Sequence, residues 1–259
     1  MMKNKPFSIK AVLFAFDGTL TKAGVLDFPV LRQAIRCPEN MPVLEFIEGI
    51  PTAEEQTDAL SKLEAFERNA AEKSEASPGA EEMVHYLRSK RIPVGIISRN
   101  SLHAIKRALE NFKAVGASDF DIIISRDDPV RPKPDPDGIL LAAQRLKITP
   151  EEVLVVGDFI FDIQAGQRAG SITVFLENDP DIPDPGGAGQ RLKFKSDYEI
   201  SRLEELKRII RMGIPLPAGK FPNDLLKEGL DSFAFQDPSV LINPGIGEDT
   251  AAVNVDDTE

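Results

Sequence analysis

Residues 9–16 run almost without polar interruption and then break at Asp17-Gly18-Thr19, the pattern of a strand buried on both faces that ends in a loop. The same grammar recurs at 93–98 (PVGIIS), 121–125 (DIIIS), 153–157 (VLVVG) and 172–176 (ITVFL), short β-branched runs bounded by Gly, Pro or Asp. Four of the five runs follow a segment with apolar residues three or four apart: 79–90, 102–112, 137–146 and 163–169. Strands alternating with helices in this way predict an α/β fold, a Rossmann-like parallel sheet with helices on both faces. Ligands of such sheets sit beyond the carboxyl ends of the strands, where Asp17, Ser98 and Asp158 fall.

Between the first and second strands the chain is rich in Glu, Ala and Leu and too long for a simple crossover. Residues 24–77 therefore read as an inserted helical cap, and 1–23 with 78–212 as the α/β core. The longest cap helix should run over 52–73, with Ala59, Leu60, Leu63 and Phe66 as its apolar stripe. Residues 177–190 (ENDPDIPDPGGAGQ) have loop composition, and 196–210 offer a brief strand and a charged amphipathic helix that close the domain near Met212.

The 259 residues allow one or two domains, and 42% hydrophobic with 28% charged residues is ordinary for a globular chain. A net charge of −11, from 42 acidic against 31 basic residues, comes with no concentrated Lys/Arg segment, which argues against a nucleic-acid partner. No stretch approaches the ~18 apolar residues of a membrane span, and the N-terminus reads as a strand rather than a leader. The cytoplasm is the expected location. Cys37 is the only cysteine, which rules out an intrachain disulfide and a cysteine-based metal site. It reads as a packing residue, and His85 and His103 as surface or packing residues on helices.

Four motifs fall at strand ends in a fixed order: AFDGTL at 15–20, GIISRN at 95–100, KPDPD at 133–137 and GDFIFD at 157–162. Each alone is common; together, over residues 8–211, they resemble the haloacid dehalogenase superfamily, in its phosphoglycolate-phosphatase-like branch with a small helical cap. The resemblance implies a Mg2+-dependent hydrolase of small phosphorylated metabolites that works through an aspartyl-phosphate. It implies that Asp17 is the general acid and base, with its backbone carbonyl on the metal. Ser98, Arg99, Asn100 and Lys133 would bind the substrate's phosphate end, and Asp158 and Asp162 would serve the metal, the second of them through water or by orienting the shell. Against these roles stand plainer ones: Asp17 as a turn residue, Ser98 as a strand-end hydroxyl, Asp158 and Asp162 as helix caps. Lys133 could also be a solvated loop lysine, with Arg131 its rival.

The family's first motif is usually DxDGTL, and Ala15 stands where its nucleophilic aspartate is expected. A methyl group can neither attack phosphorus nor ligate a cation, so this chain should bind phosphate esters and hardly hydrolyse them. An engineered substitution, a natural pseudoenzyme and a variant without design compete as origins; the intact remaining motifs favour the first.

Residues 213–259 resemble the opening of the AIR-synthase-related ATP-binding proteins through Gly219-Lys220, Leu225-Leu226 and the stretch GIGEDTAAV at 245–253. There Glu248 or Asp249 would match an acidic residue that helps bind Mg-ATP. This makes the chain a candidate fragment of a longer protein, with a loosely docked tail as the plainer reading. It also supports an alternative function, a noncatalytic phosphate-binding or regulatory module beside an ATP-using neighbour. A receiver-like signalling domain is disfavoured by the cap-sized insertion and GDFIFD.

Overall fold

The computed structural model describes residues 8–177 and 195–213. The resemblance noted for the C-terminal tail and the loop expected at 177–190 lie, apart from their first residues, outside the described residues. The chain divides into compact units at 1–207 and 208–259, and the second is described only as the end of one helix.

Six strands, β1 (Ala11–Phe14), β2 (Val94–Ile97), β3 (Ile122–Ile124), β4 (Val153–Gly157), β5 (Ile172–Leu176) and β6 (Tyr198–Ile200), form one sheet in the order β3-β2-β1-β4-β5-β6. Every pairing is parallel, with Phe14 opposite Ile96 on one side and Val156 on the other. The chain winds outward from β1 in one direction and returns to build β4 on its other flank. The carboxyl ends of β1 and β4 thus flank the point where strand order reverses, the usual binding crevice of such sheets.

The continuous apolar runs of β1, β2 and β4 are buried throughout because both faces are covered. Leu13, Val153 and Val155 pack into a core with α6 (Asp137–Leu146) and α7 (Ile160–Ala169), contributing Ile139, Ala142, Ala143 and Ala165. The alternate residues Val12, Phe14, Leu154 and Val156 point the other way and are fully buried. On that side α4 (Ala80–Ser89) packs against β2 with Met83 and Leu87 buried. Ser101 caps α5 (Leu102–Leu109) by accepting from the Ala104 amide at 3.3 Å, and α8 (Leu206–Gly213) ends the described chain.

Three helices separate β1 from α4: α1 (Phe28–Ile35), α2 (Val43–Glu48) and α3 (Ala53–Lys73). Thr52 starts α3 by accepting from the Glu55 amide at 3.3 Å, with Glu54 and Glu55 in the first turn. Leu31, Ile35, Val43, Leu44, Ile47, Ala59 and Leu63 form an apolar cluster of their own, with Leu60 and Phe66 packed against it. The α3 stripe read from the sequence is therefore core. Cys37 is buried in the same cluster.

Candidate active site

Most of the functional side chains follow the end of a strand, while Lys133 lies in the segment between β3 and α6 and Asp162 in the first turn of α7. Ala15 follows β1 directly, and its amide donates to the Val156 carbonyl at 2.8 Å, so its backbone is still fixed by the sheet. The chain then turns sharply through Asp17 and Gly18. Gly18 has φ +73°, and a Cβ built there would stand 2.0 Å from Asp158 Oδ2. The loop after β1 thus lies directly against the loop after β4, a closeness that only glycine permits. Gly18→Ala is expected to lower stability by about 1–3 kcal/mol through backbone strain, and by more because Asp158 must move. Urea unfolding curves check this, and an unchanged midpoint would contradict the packing.

Thr19, fully buried, donates its hydroxyl to Asp158 Oδ1 at 2.7 Å. Asn100 Nδ2 donates to Asp17 Oδ2 at 2.7 Å, and the Asn100 amide donates to Ser98 Oγ at 3.1 Å. Lys133 Nζ donates to the Ile97 carbonyl at 2.8 Å and to Asp162 Oδ1 at 2.5 Å, in an almost fully buried ion pair. Asp162 also accepts from the Phe159 amide at 3.1 Å. It thereby caps α7, which begins three residues earlier than the sequence pattern suggests because the capping carboxylate lies inside the first turn.

All eight candidate residues, Ala15, Asp17, Ser98, Arg99, Asn100, Lys133, Asp158 and Asp162, line one cavity of about 360 Å3. Arg131 does not: it is exposed and paired with Asp135 and Asp137. His85 and His103 face solvent on α4 and α5. Arg99 carries an additional relation that the motif did not announce. Its guanidinium makes a two-pronged ion pair with Glu45 of α2, at 2.9 and 2.5 Å, and lies 5.2 Å from the Phe161 ring centroid.

Three further residues escaped the sequence reading. Glu45 is one. Glu67 of α3 lines the cavity and is buried against Arg126, which donates through both terminal nitrogens, and against the Ser101 amide at 3.2 Å. Arg126 is the third. No local signal marks them, because each pairing spans more than fifty residues.

Burial pushes the Asp17 carboxyl up to about 6, aided by the charge of Glu67 and opposed by the Asn100 hydrogen bond. Burial, then the charge of Asp162, raises Asp158 to about 7. Burial would raise Glu45 as well, but the hydrogen bond and charge of Arg99 outweigh it and leave Glu45 below its ordinary value.

Among the described residues no three His, Cys, Asp or Glu side chains gather into a ready metal set. Magnesium asks for less: it is commonly held by one or two carboxylates, with water and phosphate oxygens completing the shell. The Asp158 carboxylate and the Asp17 backbone carbonyl are hard oxygen donors of that kind, and two buried acids that resist ionisation mark a place where a cation would be welcome.

The sign of the pH effect follows. Without metal, Asp17 and Asp158 hold protons more tightly folded than unfolded, so their contribution to stability is full below about 3.8 and is lost as pH rises through about 6 and about 7. Glu45 acts oppositely, losing its contribution only as pH falls below its ordinary 4.5. Melting temperatures in EDTA are expected to fall from about pH 5 to about pH 8, and Mg2+ to raise them more at the higher pH. A metal-free melting temperature climbing steadily across that range would contradict the assignment.

The family model for haloacid dehalogenase-like hydrolases matches residues 12–176. An uncharacterized hydrolase of Saccharomyces cerevisiae is 35% identical over 172 residues, covering 66% of this chain and 78% of that one. A phosphoglycolate phosphatase of Escherichia coli O157:H7 is 35% identical over 149 residues, 56% of each chain. Among solved structures, a hydrolase of the same family from Deinococcus radiodurans, crystallised with bound phosphate and sodium, superimposes with a TM-score of 0.58 at 24% identity, over 82% of this chain and 99% of that one.

Proposed function

The chain belongs to the haloacid dehalogenase-like hydrolases, and from that premise we propose that its site is built for Mg2+-dependent hydrolysis of small organic phosphate monoesters and is disabled in this sequence by Ala15. The observation that carries the reading is the convergence of all four strand-end motifs on one cavity, with a methyl group at the single position where a nucleophile is needed. The relative named a phosphoglycolate phosphatase supports a small phosphorylated substrate.

In this reading Ser98 and Lys133 hold the phosphoryl oxygens, with the backbone amides that follow Ser98 assisting. Asp162 keeps the Lys133 ammonium aimed into the cavity. Asp17, held by Asn100 and poised near 6, can give a proton to the leaving oxygen and take one from water. Asp158, oriented by Thr19, and the Asp17 carbonyl would hold Mg2+, which when bound supplies charge neutralisation at the phosphoryl oxygens. Helices α1–α3 act as the cap that closes the cavity over the alcohol portion. With an aspartate at position 15 the sequence of events balances: the carboxylate oxygen bonds phosphorus as the ester oxygen leaves with the Asp17 proton, and water then cleaves the acyl phosphate.

Steady-state release of inorganic phosphate from an aryl phosphate with Mg2+, compared between this chain and Ala15→Asp, tests the reading. Turnover by the Ala15 chain, or none by a folded and metal-loaded Ala15→Asp, overturns it. A second reading, a phosphate-binding or regulatory module that does no chemistry, is favoured by Ala15 itself, and silence in both proteins with retained phosphate binding would select it.

A further inference from the structure

The proposed phosphate end leaves open what the rest of the cavity accepts. Much of its remaining wall is apolar, with Leu26, Phe28, Met41 and Leu44 from the segment between β1 and α4 and Phe159 and Phe161 from the start of α7, interrupted by Arg32, Glu39, Asn40 and Glu67. The two phenylalanine rings meet edge to face with centroids 4.9 Å apart, which gives this wall a fixed shape. Met41 lines the same cavity while remaining 42% exposed, so part of a large apolar side chain is left facing water. The cavity encloses about 360 Å3, within the range of small-molecule sites. A phosphoryl group with a two-carbon acid has a single methylene to set against such a wall.

Charge points the same way. Five carboxylates line the cavity: Asp17, Glu39, Glu67, Asp158 and Asp162. The basic groups facing them are engaged by the protein. Lys133 is gripped by Asp162 and Arg99 by Glu45, while Arg32 donates to the Pro38 and Met41 carbonyls at 2.7 and 2.5 Å. A carboxylate on the substrate would lose its hydration where the side-chain cations are already committed, and would have to pull Arg99 away from Glu45 to find a partner. An uncharged apolar group meets neither obstacle and gains by covering the wall.

We propose that the cavity selects phosphate monoesters of uncharged, largely apolar alcohols of about phenyl size, and discriminates against phosphorylated carboxylic acids. This rests on the phosphate-ester reading above and goes beyond it by naming the substrate class. The Ala15 chain suits the test, since binding can be read without turnover and one carboxylate fewer repels the phosphate.

Isothermal titration with Mg2+ would use three probes: phenyl phosphate, 2-phosphoglycolate and inorganic phosphate. Phenyl phosphate is expected to bind at least about tenfold tighter than 2-phosphoglycolate. Met41→Asp, at an exposed position where folding is not at risk, should weaken phenyl phosphate by about tenfold and leave inorganic phosphate within about twofold. Phosphoglycolate binding as tightly as phenyl phosphate would overturn the inference and leave the phosphate site standing. A phenyl preference that Met41→Asp does not reduce would overturn the assignment of the wall. Absence of binding by all three would remove the phosphate-ester reading itself, and the inference with it.

Discussion

Ala15→Asp is expected to raise Mg2+-dependent phosphate release from a small aryl phosphate by on the order of 10^3- to 10^6-fold, the scale on which enzymes lose rate when a covalent nucleophile is removed. The backbone already suits the change. Residue 15 is extended, at φ −62° and ψ 164°, and its amide is pinned to Val156, so an aspartate there strains nothing. Its side chain lines the cavity with Asp17 and Asp158. Adding that carboxylate has a cost: it joins five acids already lining the cavity, of which Asp17 and Asp158 hold their protons too tightly. The restored enzyme should therefore melt below the Ala15 chain in EDTA and recover more stability than that chain when Mg2+ is added. Phosphate assays with and without Mg2+, paired with thermal melts, read both effects. Rate recovery without metal dependence would contradict the roles given to Asp158 and the Asp17 carbonyl.

The sheet was legible because strands covered on both faces must be apolar throughout; residues 153–157 and 172–176 are strands with the bounds their composition suggests. The crevice was legible for a related reason. Loops that follow buried strands are where polar residues reappear, so Asp17, Ser98 and Asp158 announce themselves by interrupting apolar runs. The two shorter insertion helices were not, because they are only eight and six residues long, with Pro38 and Pro42 between them. Asn100 stood in a motif as a substrate contact, yet its side chain is turned onto Asp17. A motif gives the residue's address and not the direction its amide faces. Least legible of all was the ring of ion pairs around the cavity, since Glu45 with Arg99 and Glu67 with Arg126 meet only after the chain has folded.

Glu67→Ala is expected to destabilise the protein by about 3–5 kcal/mol, the usual consequence of leaving one member of a buried ion pair without the other. The Glu67 side chain is 2% exposed and that of Arg126 14%, so water cannot replace the lost carboxylate. The Ser101 amide at the start of α5 loses its acceptor as well. At ~2–4 °C per kcal/mol for a chain of this size, the melting temperature should fall by roughly 6–20 °C. Removing both charges is a different matter. In Glu67→Met with Arg126→Leu no charge is left buried and unpaired, and only the Ser101 amide still lacks its acceptor, so most of the loss should be regained, and a double-mutant cycle isolates the coupling. The site should respond too, because the charge of Glu67 helps hold the Asp17 carboxyl high; without it that carboxyl should titrate lower. In the Ala15→Asp background this would move the basic limb of the rate profile, where Asp17 loses the proton it gives to the leaving oxygen, to lower pH. A single substitution costing under about 1 kcal/mol would show that the pair is solvated like a surface bridge, and that α3 is fastened to the β2 and β3 loops by apolar contacts alone.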